Sequence, residues 1–235
     1  MSVLDVEGTF NVRDLGGIPT DSGRIRSGAL LRSGSLARVS EAGAAVLRER
    51  VSHIVDLRGD AELQTDPSAV PGVRTTHLPL FFGSVQSFFD NDISLASMYD
   101  LILQEGGEKI AQAMRVIGAG EPTLVHCTVG KDRTGVTVAL ALSAVGADRD
   151  AVVADYALTE SQLPQGLTQM AITHLQRQHP EATNLVDLAS KSPAPVMRAL
   201  LAKLDADYGS PADYLRAQGL TAGELGDLRA VLVES

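Results

Sequence analysis

The sequence predicts an α/β fold, a mainly parallel central sheet flanked by helices with a helical C-terminal half. Three observations carry that expectation. Short apolar runs alternate with helix-spaced segments between Ser40 and Val145, the order that builds a parallel sheet by right-handed crossovers. The run Pro122-Thr123-Leu124-Val125 has a buried-strand pattern, and after a tight loop Val136 to Val145 reads as a buried helix ended by Gly146. After Gly146 almost every segment has helical spacing.

In chain order, Arg24-Ile25-Arg26 and Ala29-Leu30-Leu31 read as extended edge strands. Ser40 is placed to cap a helix from Glu41 to Arg50 with Ala45, Val46 and Leu47 facing inward. His53-Ile54-Val55-Asp56-Leu57 is the clearest early parallel strand, ending in Arg58-Gly59. Thr75 to Leu80 is another, stopped by Pro79. Two helices are expected over Leu95–Gln104 and Lys109–Ile117. The C-terminal helices are expected at Asp148–Leu158, Thr159–Gln178, Ala194–Ala206, Pro211–Ala217 and Thr221–Leu232, with Gly219-Leu220-Thr221 ending one helix and capping the next. No repeat or linker divides residues 1–235, so a single domain is expected.

Composition narrows the function. At 235 residues the chain can bury a full core, and its hydrophobic content of 44% is ordinary for a soluble globular protein. A formal net charge of −9 argues against general nucleic-acid binding and against adsorption to acidic membranes. No apolar run reaches membrane-spanning length, and the first residues lack the basic and apolar regions of a signal peptide. A single cysteine fits a reducing compartment, so a cytoplasmic location is expected.

That cysteine is the centre of the chemistry. In Val125-His126-Cys127-Thr128-Val129-Gly130-Lys131-Asp132-Arg133-Thr134-Gly135 it stands where the strand stops and the helix starts. Such a join aims backbone N–H groups from Thr128, Val129, Gly130 and Lys131, and the positive end of a helix dipole, at one point where an anion is expected. Free thiols titrate near 8.5, whereas those at helix N-termini fall to roughly 3.5–7.5, so the position predicts a thiolate. Arg133 supplies a planar fork for two phosphate oxygens. Gly130 permits close approach or positive φ. Thr134 can donate its hydroxyl to the sulfur, and His126, facing away from Cys127, is expected to order the loop through hydrogen bonds. No metal or other cofactor is implied, since His and carboxylates do not cluster at ligand spacing.

The loop resembles the HCxxGxxR[ST] signature of the protein-tyrosine and dual-specificity phosphatases. Its form HCTVGKDRTG is similar to a bacterial group of atypical phosphatases, some of which act on phosphotyrosine, phosphoserine, phosphothreonine and phosphoinositides. Thr9 to Gly17, Leu31-Arg32-Ser33-Gly34, Val55-Asp56-Leu57-Arg58, Asp155-Tyr156 and Tyr214-Leu215-Arg216 extend the resemblance over most of the chain. It implies a phosphocysteine intermediate on Cys127, with a phosphorylated protein or a phosphoinositide as substrate. Relatives carry their general acid on a separate loop, but here the corresponding segment begins Phe81-Phe82-Gly83 without a carboxylate. Asp132 is therefore the preferred acid, its alternative being an ion pair that rigidifies the loop. Asp90 and Asp92 are either acids that swing in or solvated loop carboxylates. Lys131 is either a second cation for a multiply phosphorylated substrate or a solvent-facing lysine. Arg13-Asp14 reads as a structural ion pair or as part of the site, Asp56 and Arg58 as a buried brace or as pocket lining, and Asp155 and Tyr156 as packing. A sulfurtransferase and a non-enzymatic phosphate-reading module are the rival functions.

Overall fold

The computed structural model describes residues 1–68, 70–80 and 86–235. Its strands are β1 (Ser2–Val3), β2 (Arg13–Asp14), β3 (Pro19–Thr20), β4 (Gly23–Ile25), β5 (Leu30–Ser33), β6 (His53–Asp56), β7 (Arg74–His77), β8 (Thr123–His126) and β9 (Val233–Glu234). The larger sheet has the order β1-β2-β5-β8-β6-β7. Strands β5, β8, β6 and β7 are mutually parallel, and β2 and β1 add an antiparallel edge. Register brings Ser33, His126 and Asp56 to one level, with His77 opposite Asp56, so the loops after all four strands open on one side. That is where ligands meet parallel sheets.

The expected edge positions of the early strands are corrected. Strand β5 lies inside the large sheet, and β4 is the middle strand of a small antiparallel sheet β3-β4-β9. Their partners β2 and β9 are two residues long, too short to carry a period that a sequence reading could detect.

Successive strand residues point to opposite faces, and the two faces bury different cores. Leu31, Ile54 and Leu124 join Leu36, Ala44 and Leu47 beneath helix α1 (Glu41–Arg50). Leu30, Val55 and Val125 join the larger core on the other face. Ser40 caps α1 by accepting from the Gly43 N–H at 3.1 Å. The buried stripe of α1 is Gly43, Ala44 and Leu47, so Leu47 faces inward as expected while Ala45 and Val46 are only half-buried. Helices α2 (Asp60–Thr65) and α3 (Gln86–Asp90) follow.

The two helices expected between Leu95 and Ile117 are one, α4 (Leu95–Gly118). Gly106 and Gly107 interrupt the apolar period without breaking the helix. A Cβ on Gly107 would lie 2.2 Å from the Gln218 side chain, so the glycine makes room for a neighbour. Helix α5 (Asp132–Ala144) begins earlier than expected, which puts Asp132, Arg133 and Thr134 in its first turn. Helix α6 (Arg149–Gln162) ends before Pro164, and α7 (Gln165–Gln178) starts after it. The expected Thr159–Gln178 helix is thus split where proline forces Leu163 into extended backbone. Helix α8 (Leu185–Ser190) escaped the sequence reading because six residues show no clear period. Helices α9 (Ala194–Tyr208), α10 (Pro211–Ala217) and α11 (Ala222–Leu232) stand close to expectation. Gly219 at φ 93° and the reciprocal Thr221–Glu224 capping box make the join between the last two. No helix among the described residues is long and apolar enough to cross a membrane.

Candidate active site

Strand β8 delivers Cys127 to the open side of the sheet, and the chain turns within Thr128 to Lys131 before α5 begins. Cys127 is buried, and its Sγ accepts from the Gly130 N–H at 3.3 Å. Gly130 has φ 72°, and a Cβ there would lie 2.2 Å from the Ser33 carbonyl oxygen. Both backbone hand and close approach therefore require glycine at this position. Behind the sulfur, His126 Nδ1 donates to the Cys127 carbonyl at 3.1 Å, and its Nε2 lies 3.4 Å from Asp56. Arg58 Nη2 contacts Asp56 at 2.7 Å with both side chains buried. Asp56 and Arg58 are thus a brace beneath the loop. Burial would raise the Asp56 carboxyl, but His126 and Arg58 hold it well below the usual carboxylate range.

Arg133 reaches the same region from the first turn of α5. Its Nη1 and Nη2 donate to Glu62 Oε2 and Oε1 at 2.6 and 2.9 Å, a two-bond grip. Glu62 also accepts from the Thr128 hydroxyl, and from the Gly59 N–H at 2.7 Å. Burial alone would raise the Glu62 carboxyl, but Arg133, Thr128 and Gly59 together bring it to about 2 from an ordinary 4.5. The sequence reading passed over Glu62. Its signal was a Glu three residues past Gly59, which reads as an ordinary helix-capping residue.

Asp132 accepts from the Tyr99 hydroxyl at 2.8 Å and lies 2.9 Å from the Lys131 ammonium. The Tyr156 hydroxyl is 2.6 Å from that of Tyr99, so a buried chain of two phenols ends on this carboxylate. Burial, then the Asp132 charge, pushes the Tyr99 phenol well above its ordinary value. Lys131 is not the solvent-facing residue of one reading. It is buried, and its Nζ donates to the carbonyls of Lys191 at 2.9 Å and Asp187 at 3.3 Å, on the α8 side. The expected bond from Thr134 to sulfur is not made: among the described residues its buried hydroxyl has no hydrogen-bond partner.

Asp90 and Asp92 are neither free nor aimed at the cysteine. Asp90 lies 3.1 Å from His179 Nδ1, and Asp92 accepts from the Thr183 hydroxyl at 2.6 Å and the Asn184 N–H at 2.8 Å. Asp90 at the end of α3 and Asp92 just beyond it thus tie this stretch to the link between α7 and α8. The segment Phe81-Phe82-Gly83 lies outside the described residues. The expected Arg13–Asp14 pair does not form. Arg13 bonds Asp155 at 2.6 Å, whereas Asp14 accepts from the Gly16 and Gly28 N–H groups at 2.8 Å. Asp155 and Tyr156 consequently do more than pack.

Cys127, Thr128, Val129, Asp132 and Arg133 line one cleft of about 370 Å³. Much of the rest of its lining is apolar, including Phe88, Phe89, Leu175 and Leu188. A thiol, a guanidinium and a carboxylate thus share the lining of a mostly apolar recess. That arrangement suits nucleophilic attack on an ester of an oxyacid. The four apolar residues come from segments with no motif, so spacing could not have assigned them.

Comparison with known proteins agrees with this chemistry. A family model described as "Tyrosine phosphatase family" matches residues 4–234. The triple specificity protein phosphatase PtpB of Mycobacterium tuberculosis is 29% identical, over 99% of this chain and 100% of its own. Among solved structures, the core catalytic domain of the PP-IP phosphatase SIW14 from S. cerevisiae is 14% identical, covering 87% of this chain and 96% of that one, with a TM-score of 0.38. A cysteine-to-serine form of TpbA from P. aeruginosa, in complex with pTyr, is 17% identical, covering 85% and 99%, with a TM-score of 0.35. With the family match spanning nearly every residue and the cysteine–arginine loop intact within it, this chain belongs to the tyrosine phosphatase family and is a phosphoric monoester hydrolase.

Proposed function

We propose that the chain hydrolyses phosphotyrosine-type monoesters, with Cys127 as nucleophile and Asp132 as general acid. The observation that carries this reading is the convergence of the Cys127 sulfur, the Arg133 guanidinium and the Asp132 carboxylate on one recess. In the first step the sulfur attacks phosphorus in line while Arg133 and the N–H groups from Thr128 to Lys131 hold the equatorial oxygens. Asp132 gives its proton to the departing oxygen, leaving a phosphocysteine. Water then attacks phosphorus, its proton passes to Asp132, and inorganic phosphate leaves. The buried Thr134 hydroxyl, which has no hydrogen-bond partner among the described residues, is left available to turn to the departing sulfur.

Phe88, Phe89 and Leu175 favour an aryl leaving group over a polar inositol ring, because burying a flat ring against apolar side chains is favourable. The Lys131 ammonium points to carbonyls on the α8 side, so a phosphoinositide would have to draw it away from them. The relative PtpB is named a triple specificity protein phosphatase, which supports a substrate range wider than phosphotyrosine alone. A burst of p-nitrophenol equal to the enzyme concentration is the expected first turnover of p-nitrophenyl phosphate. Cys127→Ser should abolish turnover yet still bind inorganic phosphate. Undiminished turnover by that variant would dismiss the nucleophile.

A further inference from the structure

Three stretches of chain far apart in sequence meet behind the phosphate loop, and the chemistry above uses none of them. Asn11 Nδ2 donates to the Gly130 carbonyl at 3.0 Å and lies 3.4 Å from the Val129 carbonyl. Arg32 Nη2 donates to the same Gly130 carbonyl at 2.7 Å. Asp155 holds both arginines, accepting from Arg32 Nη1 at 2.5 Å and from Arg13 Nε at 2.6 Å. Arg13 continues to the Asp155 carbonyl at 2.8 Å, to Thr159 at 3.0 Å and to the Asn11 side chain. Every member is buried.

We infer that Asn11 and Arg32, braced by Asp155 and Arg13, are positioning residues that aim the loop's N–H groups at the transferring phosphoryl group. The argument is planar geometry. In a trans peptide the carbonyl and the following N–H point in opposite directions, and the structure has no cis bonds among the described residues. Holding the Val129 carbonyl back turns the Gly130 N–H forward, and that N–H is the one found on the Cys127 sulfur. Holding the Gly130 carbonyl back turns the Lys131 N–H the same way. Two guanidiniums against one carboxylate also leave a net charge of plus one sealed behind an anion site. Asn11 itself sits at φ 59°, a conformation that asparagine tolerates better than most residues.

The role serves the phosphoryl-transfer reading above, and the experiment separates the two. Asn11→Asp keeps the size, the tolerance of positive φ and the acceptor for Arg13, but replaces the donor to Gly130 by an oxygen. Asn11→Gly removes the donor without charge, and Arg32→Lys keeps charge but loses the fork. Turnover of p-nitrophenyl phosphate, normalised to active sites by the burst, and inhibition by orthovanadate are measured for each. The expected result is a fall in kcat of about tenfold or more, with orthovanadate binding weakened to a similar degree and KM changed less, as for lost transition-state donors. Should a variant not fold, the remaining ones decide. Normalised kcat and vanadate inhibition within twofold of wild type in Asn11→Asp and Asn11→Gly would overturn the inference while leaving Cys127 chemistry intact. A wild type without turnover would overturn both.

Discussion

Replacing Glu62 by glutamine tests whether the two-bond grip on Arg133 aligns the guanidinium. The carboxyl titrates at about 2 in the fold against an ordinary 4.5, which corresponds to about 3 kcal/mol of stabilisation of the charged form. Its side chain is 27% exposed, so solvent screening reduces the expected loss in Glu62→Gln to about 2 kcal/mol at pH 7. The folded-state value is the lower one. The stabilisation is therefore complete above pH 4.5 and is lost as pH falls towards 2. Urea unfolding of both proteins at pH 7 and at pH 3 should show the gap shrinking to less than half its neutral value. In parallel, kcat/KM for p-nitrophenyl phosphate should fall about tenfold as the guanidinium loses its fixed plane. A stability gap that is absent at pH 7, or equal at both pH values, would refute the electrostatic account. A rise in activity would show that Glu62 occludes the phosphate site.

Asp132→Asn should cut turnover and flatten one limb of the pH–rate profile, and an unaltered profile would remove Asp132 from the proton inventory. Tyr99→Phe deletes the 2.8 Å bond to Asp132 and leaves the Tyr156 hydroxyl without its 2.6 Å partner. Thermal or urea unfolding should register a loss of about 1–2 kcal/mol, and wild-type stability would show the phenol chain to be idle. Gly130→Ala meets both an unfavourable φ and the Ser33 carbonyl. It should lose at least about 1 kcal/mol and most of its activity, and a fully active alanine variant would contradict the loop geometry.

Much of the chemistry was legible along the chain because it is local. Cys127, Gly130, Asp132 and Arg133 lie within one strand–loop–helix join, where residue spacing and the helix N-terminus decide the outcome. The parallel strands β6 and β8 were legible too, since a run such as His53 to Asp56, buried on both faces, must be apolar over its middle, whereas β5 passed for an edge strand. Segments shorter than a period, such as β2, β9 and α8, were not, and neither was the unbroken path of α4 past Gly106 and Gly107.

What tertiary structure alone decided are pairings across long separations. Arg13 could have met its neighbour Asp14, yet it meets Asp155, because β2 pairs with β5 and turns that side chain into the core beside α6. Lys131 could have faced water or substrate, yet it runs to carbonyls on the α8 side. Sequence prescribes the groups available to a site and their local backbone. The partner each buried charge takes is set by which elements pack together, because only desolvation makes one partner worth so much more than water.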